Sequence, residues 1–317
     1  MKKLSIVIPV YYNEQNLHPL YADIKAKVID RIDFDYEIVM VDDGSKDNSW
    51  KVMQELAEKD DHIRIYHLSR NFGSHAAILC GLVHSTGDCA VVKAADLQEP
   101  TEMVLEMYDR WTKGNNVVLA VREGREEGAS QTLFANLYYW LVRKAALPQM
   151  PKGGFDTFLV DRKVIKVLEL MDEKDSAITG QILWSGFKTD MVYYVRQARE
   201  IGKSRWTLKK KIRLVADTLF SFSNLPITLV SAVGAASFFG SLLWAFVVFV
   251  VKLTGNIEVS GFTTLFIFQL FSFGIIMMTL GILGGYLWRT FDASRNRPVY
   301  IVEATGQDGK AEDDENS

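Results

Sequence analysis

The sequence predicts a doubly wound, mostly parallel α/β sheet, followed by interface helices and two transmembrane helices. Three observations carry this expectation. Apolar, β-branched runs alternate with segments of helical spacing across residues 4–121. A cluster of polar residues follows most of these runs directly. Residues 227–251 and 259–288 contain no charge, and each exceeds the roughly 20 apolar residues a helix needs to cross a bilayer core.

The elements follow in order. Leu4–Val10 reads as a strand buried on both faces, as in a parallel sheet. It is too short for a signal-peptide core, and no cleavage site follows it. Asn16–Arg31 has helical spacing, and Glu37–Val41 is a second buried strand. Asp47-Asn48-Ser49 opens a helix to about Lys59, with Asp47 or Ser49 as its N-cap. Ile63–Leu68, Cys89–Lys93 and Asn116–Val121 are further strands, separated by helices over Ser74–Ser85 and Pro100–Lys113. Such sheets bind ligands at the carboxyl ends of their strands. Tyr11–Glu14, Asp42–Asp47, Ser69–Gly73 and Asp96–Pro100 are therefore expected to converge on one crevice.

Residues 122–200 are less regular, with an amphipathic helix expected over Gln131–Ala146. Residues 206–222 combine a basic cluster with an apolar stripe, which suits a helix lying in a membrane interface. The chain thus divides into a soluble domain at 1–200, juxtamembrane helices at 201–226, two membrane helices at 227–290 and a tail at 291–317. Lys209, Lys210, Lys211 and Arg213 precede the first span, and Arg289, Arg295 and Arg297 follow the second. Between the spans stand only Lys252 and Glu258, so the positive-inside rule puts both termini and the soluble domain in the cytoplasm. The tail after Thr305 is acidic and is expected to be disordered.

Composition narrows the function. The 317 residues carry 36 Lys+Arg against 39 Asp+Glu, a net charge of -3. That balance argues against a nucleic-acid partner, which requires clustered cations. With 48% hydrophobic and 24% charged residues, the bulk of the chain is neither disordered nor coiled coil. Its two cysteines, Cys80 and Cys89, make no CxxC pair, so neither a disulfide framework nor a zinc site is expected.

Specific motifs follow the strands. Pro9-Val10-Tyr11-Tyr12-Asn13-Glu14, Val41-Asp42-Asp43-Gly44-Ser45 and Ala95-Asp96-Leu97-Gln98-Glu99-Pro100 occur in that order. Ser69-Arg70-Asn71-Phe72-Gly73, Ser85-Thr86-Gly87-Asp88 and Arg199-x-x-Gly202-x-Ser204-Arg205-Trp206 accompany them, and Phe222-Ser223-x-x-Pro226 leads into the apolar helices. This set resembles the inverting family 2 glycosyltransferases of GT-A fold. Within them it resembles the polyisoprenyl-phosphate group, the dolichyl-phosphate mannose synthase and GtrB-like enzymes. The resemblance covers residues 4 to about 290.

The resemblance implies inverting transfer of one sugar, glucose from UDP-glucose as first choice, to undecaprenyl phosphate or a similar polyprenyl phosphate at the cytoplasmic face of a bacterial inner membrane. It implies nucleotide-sugar contacts at Pro9, Tyr11, Glu14, Asp42, Asp43, Arg70, Ala95 and Gln98. Catalytic roles fall to Asp96, Asp156, Arg122 and Arg125, and lipid-phosphate binding to Arg199, Lys203, Ser204 and Arg205. Asp96, with Gln98 beside it, is the expected ligand of Mg²⁺ or Mn²⁺, which would offset the charge of a departing diphosphate.

The chain departs from the family pattern at several points. Tyr12 is an additional residue before Asn13, and Ala94 stands where the first carboxylate of a DxD-like element is common. Phe158 replaces an arginine, and Arg205 a lysine. No QxxRW element of a processive polysaccharide synthase is present. Gly281, Gly284 and Gly285 permit close helix approach, so a homo-oligomer is expected.

Overall fold

A computed structural model describes residues 2–123, 139–140, 142–144, 146–171, 173, 177–195, 221–223, 225–253 and 261–306. The chain forms two compact units, Met1–Thr218 with Pro298–Ser317, and Leu219–Arg297.

The first unit is built on an eight-stranded sheet: β1 (Lys3–Val10), β2 (Asp35–Asp42), β3 (Ile63–Leu68), β4 (Cys89–Val92), β5 (Val117–Arg122), β6 (Phe155–Asp161), β7 (Thr189–Tyr194) and β8 (Val302–Thr305). Their spatial order is β7-β5-β6-β4-β1-β2-β3-β8. The five strands expected from apolar runs are all present. β1, β2, β3 and β4 form a parallel block, whose strands are buried almost throughout because helices cover both faces. The sheet as a whole is mixed, since β6 runs antiparallel to β4 and β5, and β8 antiparallel to β3. The chain moves outward from β1 through β2 to β3 and then returns to place β4 on the other side of β1. That reversal is a topological switch point.

The helices of this unit are α1 (Glu14–Lys27), α2 (Ser49–Ala57), α3 (Ser74–His84), α4 (Met103–Thr112), α5 (Arg162–Glu169) and α6 (Ile178–Trp184). The core joins Leu17, Leu20 and Ile24 of α1 and Met53 and Leu56 of α2 to Ile6, Ile8, Ile38 and Met40 of the sheet. Neither expected residue caps α2 by itself. Asn48 occupies the N-cap without a side-chain bond, and Asp47 accepts the Ser49 N–H at 3.1 Å.

The Ser85–Asp88 motif lies at the amino edge of the sheet, away from the crevice. The buried Glu37 carboxylate accepts from the Ser5 hydroxyl at 2.6 Å and the Thr86 hydroxyl at 2.9 Å. A Cβ on Gly87 would come within 2.6 Å of Ser5 Oγ, so this close approach needs glycine.

The second unit contains α7 (Leu225–Leu253) and α8 (Phe262–Ser294). Both match the expected apolar segments, and α8 continues beyond residue 290. Leu225–Trp244 and Phe271–Ser294 are long and apolar enough to cross a membrane. Tyr286 Oη reaches the Ser223 carbonyl at 3.3 Å, and a crevice joins Leu229 and Val233 to Ile275 and Thr279, so the two helices run antiparallel. Large apolar side chains including Phe239, Trp244, Phe271 and Trp288 remain exposed.

Most of the residues expected to form the interface helix, and most of those in the expected 131–146 helix, lie outside the described residues, as does the tail after Gly306.

Candidate active site

The β1 and β2 loops leave the sheet side by side, with Val10 paired to Asp42 and the Asp43 N–H bonded to the Val10 carbonyl at 2.9 Å. Tyr12, the additional residue, takes a left-handed backbone with φ of 55°. Its N–H donates to Ser45 Oγ at 2.9 Å, and the Asn13 N–H donates to Ser49 Oγ at 2.9 Å. The insertion is thus absorbed in a turn stitched to the β2 loop. Tyr11 is 38% exposed, with its ring edge-on to Tyr12 at 4.7 Å. Pro9 lies half-buried in β1 opposite Val41. Glu14 accepts the Asn48 N–H at 2.9 Å, which braces the start of α2.

Asp42 and Asp43 are both buried, at 0% and 3% exposure. His67 Nδ1 hydrogen-bonds Asp42 Oδ2 at 2.7 Å, and the Ser45 N–H adds a longer bond at 3.3 Å. Asp43 accepts the Phe72 N–H at 2.7 Å and the Gly73 N–H at 2.9 Å, one on each oxygen. Burial pushes its pKa up to about 6, outweighing those two donors. The two carboxylates, expected to face a base or ribose, also hold the loops that rim the crevice. Arg70 lies exposed on that rim, with its guanidinium 3.9 Å from the Phe72 ring centre. Gly44 has φ of 65°, and a Cβ there would sit 2.5 Å from the Arg70 carbonyl carbon.

The β4 loop leaves the same edge on the other side of β1, where the Lys93 N–H bonds the Val7 carbonyl at 2.9 Å. Asn16 of α1 donates to the carbonyl of the buried Ala95 at 3.2 Å. Asp96 is half-buried, and its Oδ1 accepts the Gln98 N–H at 3.3 Å. Leu97 adopts φ of 57°, and Gln98 is 9% exposed. Beneath this loop lies Lys93, 1% exposed, whose Nζ donates to the Glu99 carbonyl at 3.0 Å. Burial pulls its pKa down, opposed by Glu99, Asp23 and Asp96. The Thr157 hydroxyl of β6 bonds the Glu99 carboxylate, and the Thr101 hydroxyl bonds Asp23 of α1. The Asp96 loop is therefore pinned on both sides.

No group of three His, Cys, Asp or Glu that could hold a metal occurs among the described residues. Asp96 fits a Mg²⁺-type ion all the same, because such ions bind through one or two carboxylates together with substrate phosphates and water.

Arg122, ending β5, and Asp156, near the start of β6, form an ion pair. The antiparallel β6 starts at the edge where β5 ends, with Val121 paired to Phe155. Tyr194 of β7 takes a further bond from Arg122 Nε at 3.3 Å. Arg125, Arg199, Lys203, Ser204 and Arg205 lie outside the described residues.

Two residues that shape the site carry no sequence signal of that role. Lys93 reads as the end of a strand. His67 lies in an apolar strand without ligand spacing, and only the β2–β3 register, which pairs it with Asp42, exposes its function.

Comparison with known proteins adds to this geometry. The model of Glycosyl transferase family 2 matches residues 5–168. Glycosyltransferase YkcC of Bacillus subtilis (strain 168) is 36% identical over 303 residues, covering 94% of this chain and 93% of that protein. The prophage bactoprenol glucosyl transferase homolog of Escherichia coli (strain K12) is 31% identical, covering 95% and 98%. The bactoprenol glucosyl transferase of Shigella phage SfV is 30% identical, also covering 95% and 98%. A glucosyl-3-phosphoglycerate synthase from Mycobacterium tuberculosis, solved with Mn2+, uridine-diphosphate and glucosyl-3-phosphoglycerate, gives a TM-score of 0.45 at 16% identity, covering 69% of this chain and 79% of that one. With its GT-A-type mixed sheet, this chain belongs to family 2 of the glycosyltransferases and is a glycosyl-transferring enzyme.

Proposed function

We propose that this enzyme transfers one sugar from a nucleoside-diphosphate donor to a polyprenyl phosphate, with UDP-glucose and undecaprenyl phosphate as first choices. The observation that carries the proposal is the convergence of the Tyr11, Arg70 and Asp96 loops on one edge of the sheet, in a chain that also holds two long apolar helices. The relatives named bactoprenol glucosyl transferases, matched over nearly their whole length, support the acceptor class.

In the reaction, a non-bridging oxygen of the lipid phosphate attacks the anomeric carbon from the face opposite the leaving group. The new C–O bond forms as the bond to the nucleoside diphosphate breaks, and the configuration inverts. The acceptor phosphate needs little help from a base, because a phosphate monoester is largely ionised at neutral pH. Tyr11 packs on the donor base, and Arg70 and Arg122 face the phosphates. Asp156, paired to Arg122, orients the acceptor. Asp96 and Gln98 are the residues that would hold a divalent ion, which supplies positive charge to the leaving diphosphate. Arg125, Arg199, Lys203, Ser204 and Arg205 are proposed to complete the phosphate sites.

Membrane attachment at the cytoplasmic face of a bacterial inner membrane is part of the proposal. The exposed apolar side chains of α7 and α8 form a surface that water does not tolerate and lipid does. The sheet takes strands from both before α7 and after α8, which supports an even number of crossings between them. Basic residues flank the helices on that side, which favours the cytoplasm. A homo-oligomer is proposed through the open face around Gly281 and Gly284.

The test is incubation of the purified full chain with undecaprenyl phosphate, Mg²⁺ or Mn²⁺, and each common radiolabelled nucleotide sugar in turn. Label in a glycolipid with inverted anomeric configuration is expected from UDP-glucose. No glycolipid from any donor would reject the proposal.

A further inference from the structure

Both aspartates at the end of β2 lean on one short stretch of chain. His67 on β3 holds Asp42 at 2.7 Å, and the backbone of Phe72 and Gly73, just beyond β3, holds Asp43 at 2.7 and 2.9 Å. Everything that fixes residues 67–73 therefore fixes two of the loops around the crevice.

Among the described residues, β3 pairs with β2 on one side and with β8 on the other. β8 sets Ala304 opposite His67. The Ser69 N–H donates to the Ile301 carbonyl at 3.1 Å, and the Gly306 N–H donates to the Ile65 carbonyl at 3.2 Å. Glu303 Oε2 lies 3.8 Å from His67 Nε2, and the Trp50 ring packs 5.1 Å from the imidazole. Without β8, β3 would be an open edge, and edges and chain ends are where sheets open most readily.

We propose that β8 is a positioning element of the donor site: its docking on β3 holds His67 against Asp42 and the 69–73 loop against Asp43, and so sets the loops that receive the nucleotide. The coupling rests on the donor-site reading proposed above. It has a consequence for assembly. β8 follows α8 in the chain, joined through residues 295–301. The donor site is then complete only once both apolar helices have been made, and a nascent chain ending before them does not hold a donor.

The test compares four full-length variants and one shortened chain. Gly306→Pro removes the bond to Ile65 and crowds its side chain, which a Cβ at 306 would already approach to 2.8 Å. A chain ending after Arg297 lacks β8 altogether. His67→Ala removes the bond to Asp42, whereas His67→Asn keeps a donor near the Nδ1 position. Glu303→Gln removes only the charge beside Nε2. Three quantities are read: amide hydrogen exchange over residues 69–75, equilibrium binding of uridine diphosphate, and the KM for polyprenyl phosphate. In Gly306→Pro and in the shortened chain, exchange is expected to be about tenfold faster and uridine diphosphate to bind about tenfold more weakly. The KM for polyprenyl phosphate is expected to stay unchanged. His67→Ala weakens the nucleotide alike, His67→Asn restores it, and Glu303→Gln has a smaller effect.

Exchange and nucleotide affinity within twofold of the full chain, in both Gly306→Pro and the shortened chain, would overturn the coupling even if the melting temperature fell. If the full chain bound no nucleoside diphosphate, the donor-site reading would fail, and the exchange measurement would still decide whether β8 orders these loops.

Discussion

Arg122 and Asp156 come from strands that run in opposite directions, yet they meet as an ion pair at the crevice edge. Arg122 is 14% exposed at its side chain and Asp156 61%, so the arginine is the enclosed partner and the carboxylate the accessible one. A half-buried guanidinium paired to a carboxylate can face further anionic charge, as a diphosphate or lipid phosphate brings. Arg122→Ala is expected to lower kcat/KM by about 100-fold, and Asp156→Asn by about tenfold. The double variant should be little worse than Arg122→Ala, because the two side chains act as one unit. Steady-state kinetics of the three variants checks this.

Gly44 joins a left-handed turn to close contact with the Arg70–Asn71 backbone. Alanine there incurs roughly 1–2 kcal/mol of left-handed strain before any clash is counted. Gly44→Ala should lower the melting temperature by several degrees and raise the donor KM, leaving the acceptor KM near its original value. Equal changes in both KM values would contradict a role confined to the donor loops.

Asp43 makes the stability depend on pH. Its pKa of about 6 in the folded chain lies above the ordinary value of 3.8. The folded state therefore holds a proton between those values that the unfolded state has released. Its contribution is fully present below about pH 4 and is lost as pH rises through about 6, a change of at most ~3 kcal/mol. Asp43→Asn, which does not titrate, should lack this component. Melting temperatures of both proteins from pH 4 to pH 8 test it: their difference should shift in favour of Asp43→Asn as pH rises, and then level off above about 7.

Lys93 stands under the Asp96 loop with its ammonium on the Glu99 carbonyl. Lys93→Met strands that carbonyl and removes the cation facing Asp23 and Asp96. It should destabilise the domain by about 2–4 kcal/mol. Lys113→Met, at an exposed pair with Asp109, should change stability by less than about 0.5 kcal/mol. Thermal unfolding of the two variants side by side measures the contrast.

The parallel block was legible because β1, β2 and β4 are buried on both faces and so appear as apolar runs, with β3 interrupted only at the half-buried Arg64 and His67. β7 was not, since its residues alternate between exposed and buried and Tyr193 points outward. β8 has only four residues, none fully buried, and exists because β3 offers an unpaired edge far away in sequence. The site shows the same division. Asp96, Arg122 and Asp156 could be singled out from motifs, but the pairing of Arg122 with Asp156 depends on an antiparallel register no local pattern encodes. Asp42 and Asp43 stood out as a motif, whereas their burial against His67 and the 72–73 backbone is a property of the folded sheet.

Transfer of radiolabelled glucose from UDP-glucose to undecaprenyl phosphate, by the full chain in proteoliposomes and by Asp96→Asn beside it, tests the central claim most directly. The account predicts a labelled lipid from the unaltered chain and at least about 100-fold less from Asp96→Asn, since charge stabilisation of the leaving group is lost. Equal labelling by the two proteins, or labelled sugar released into water while the lipid stays unlabelled, would contradict it.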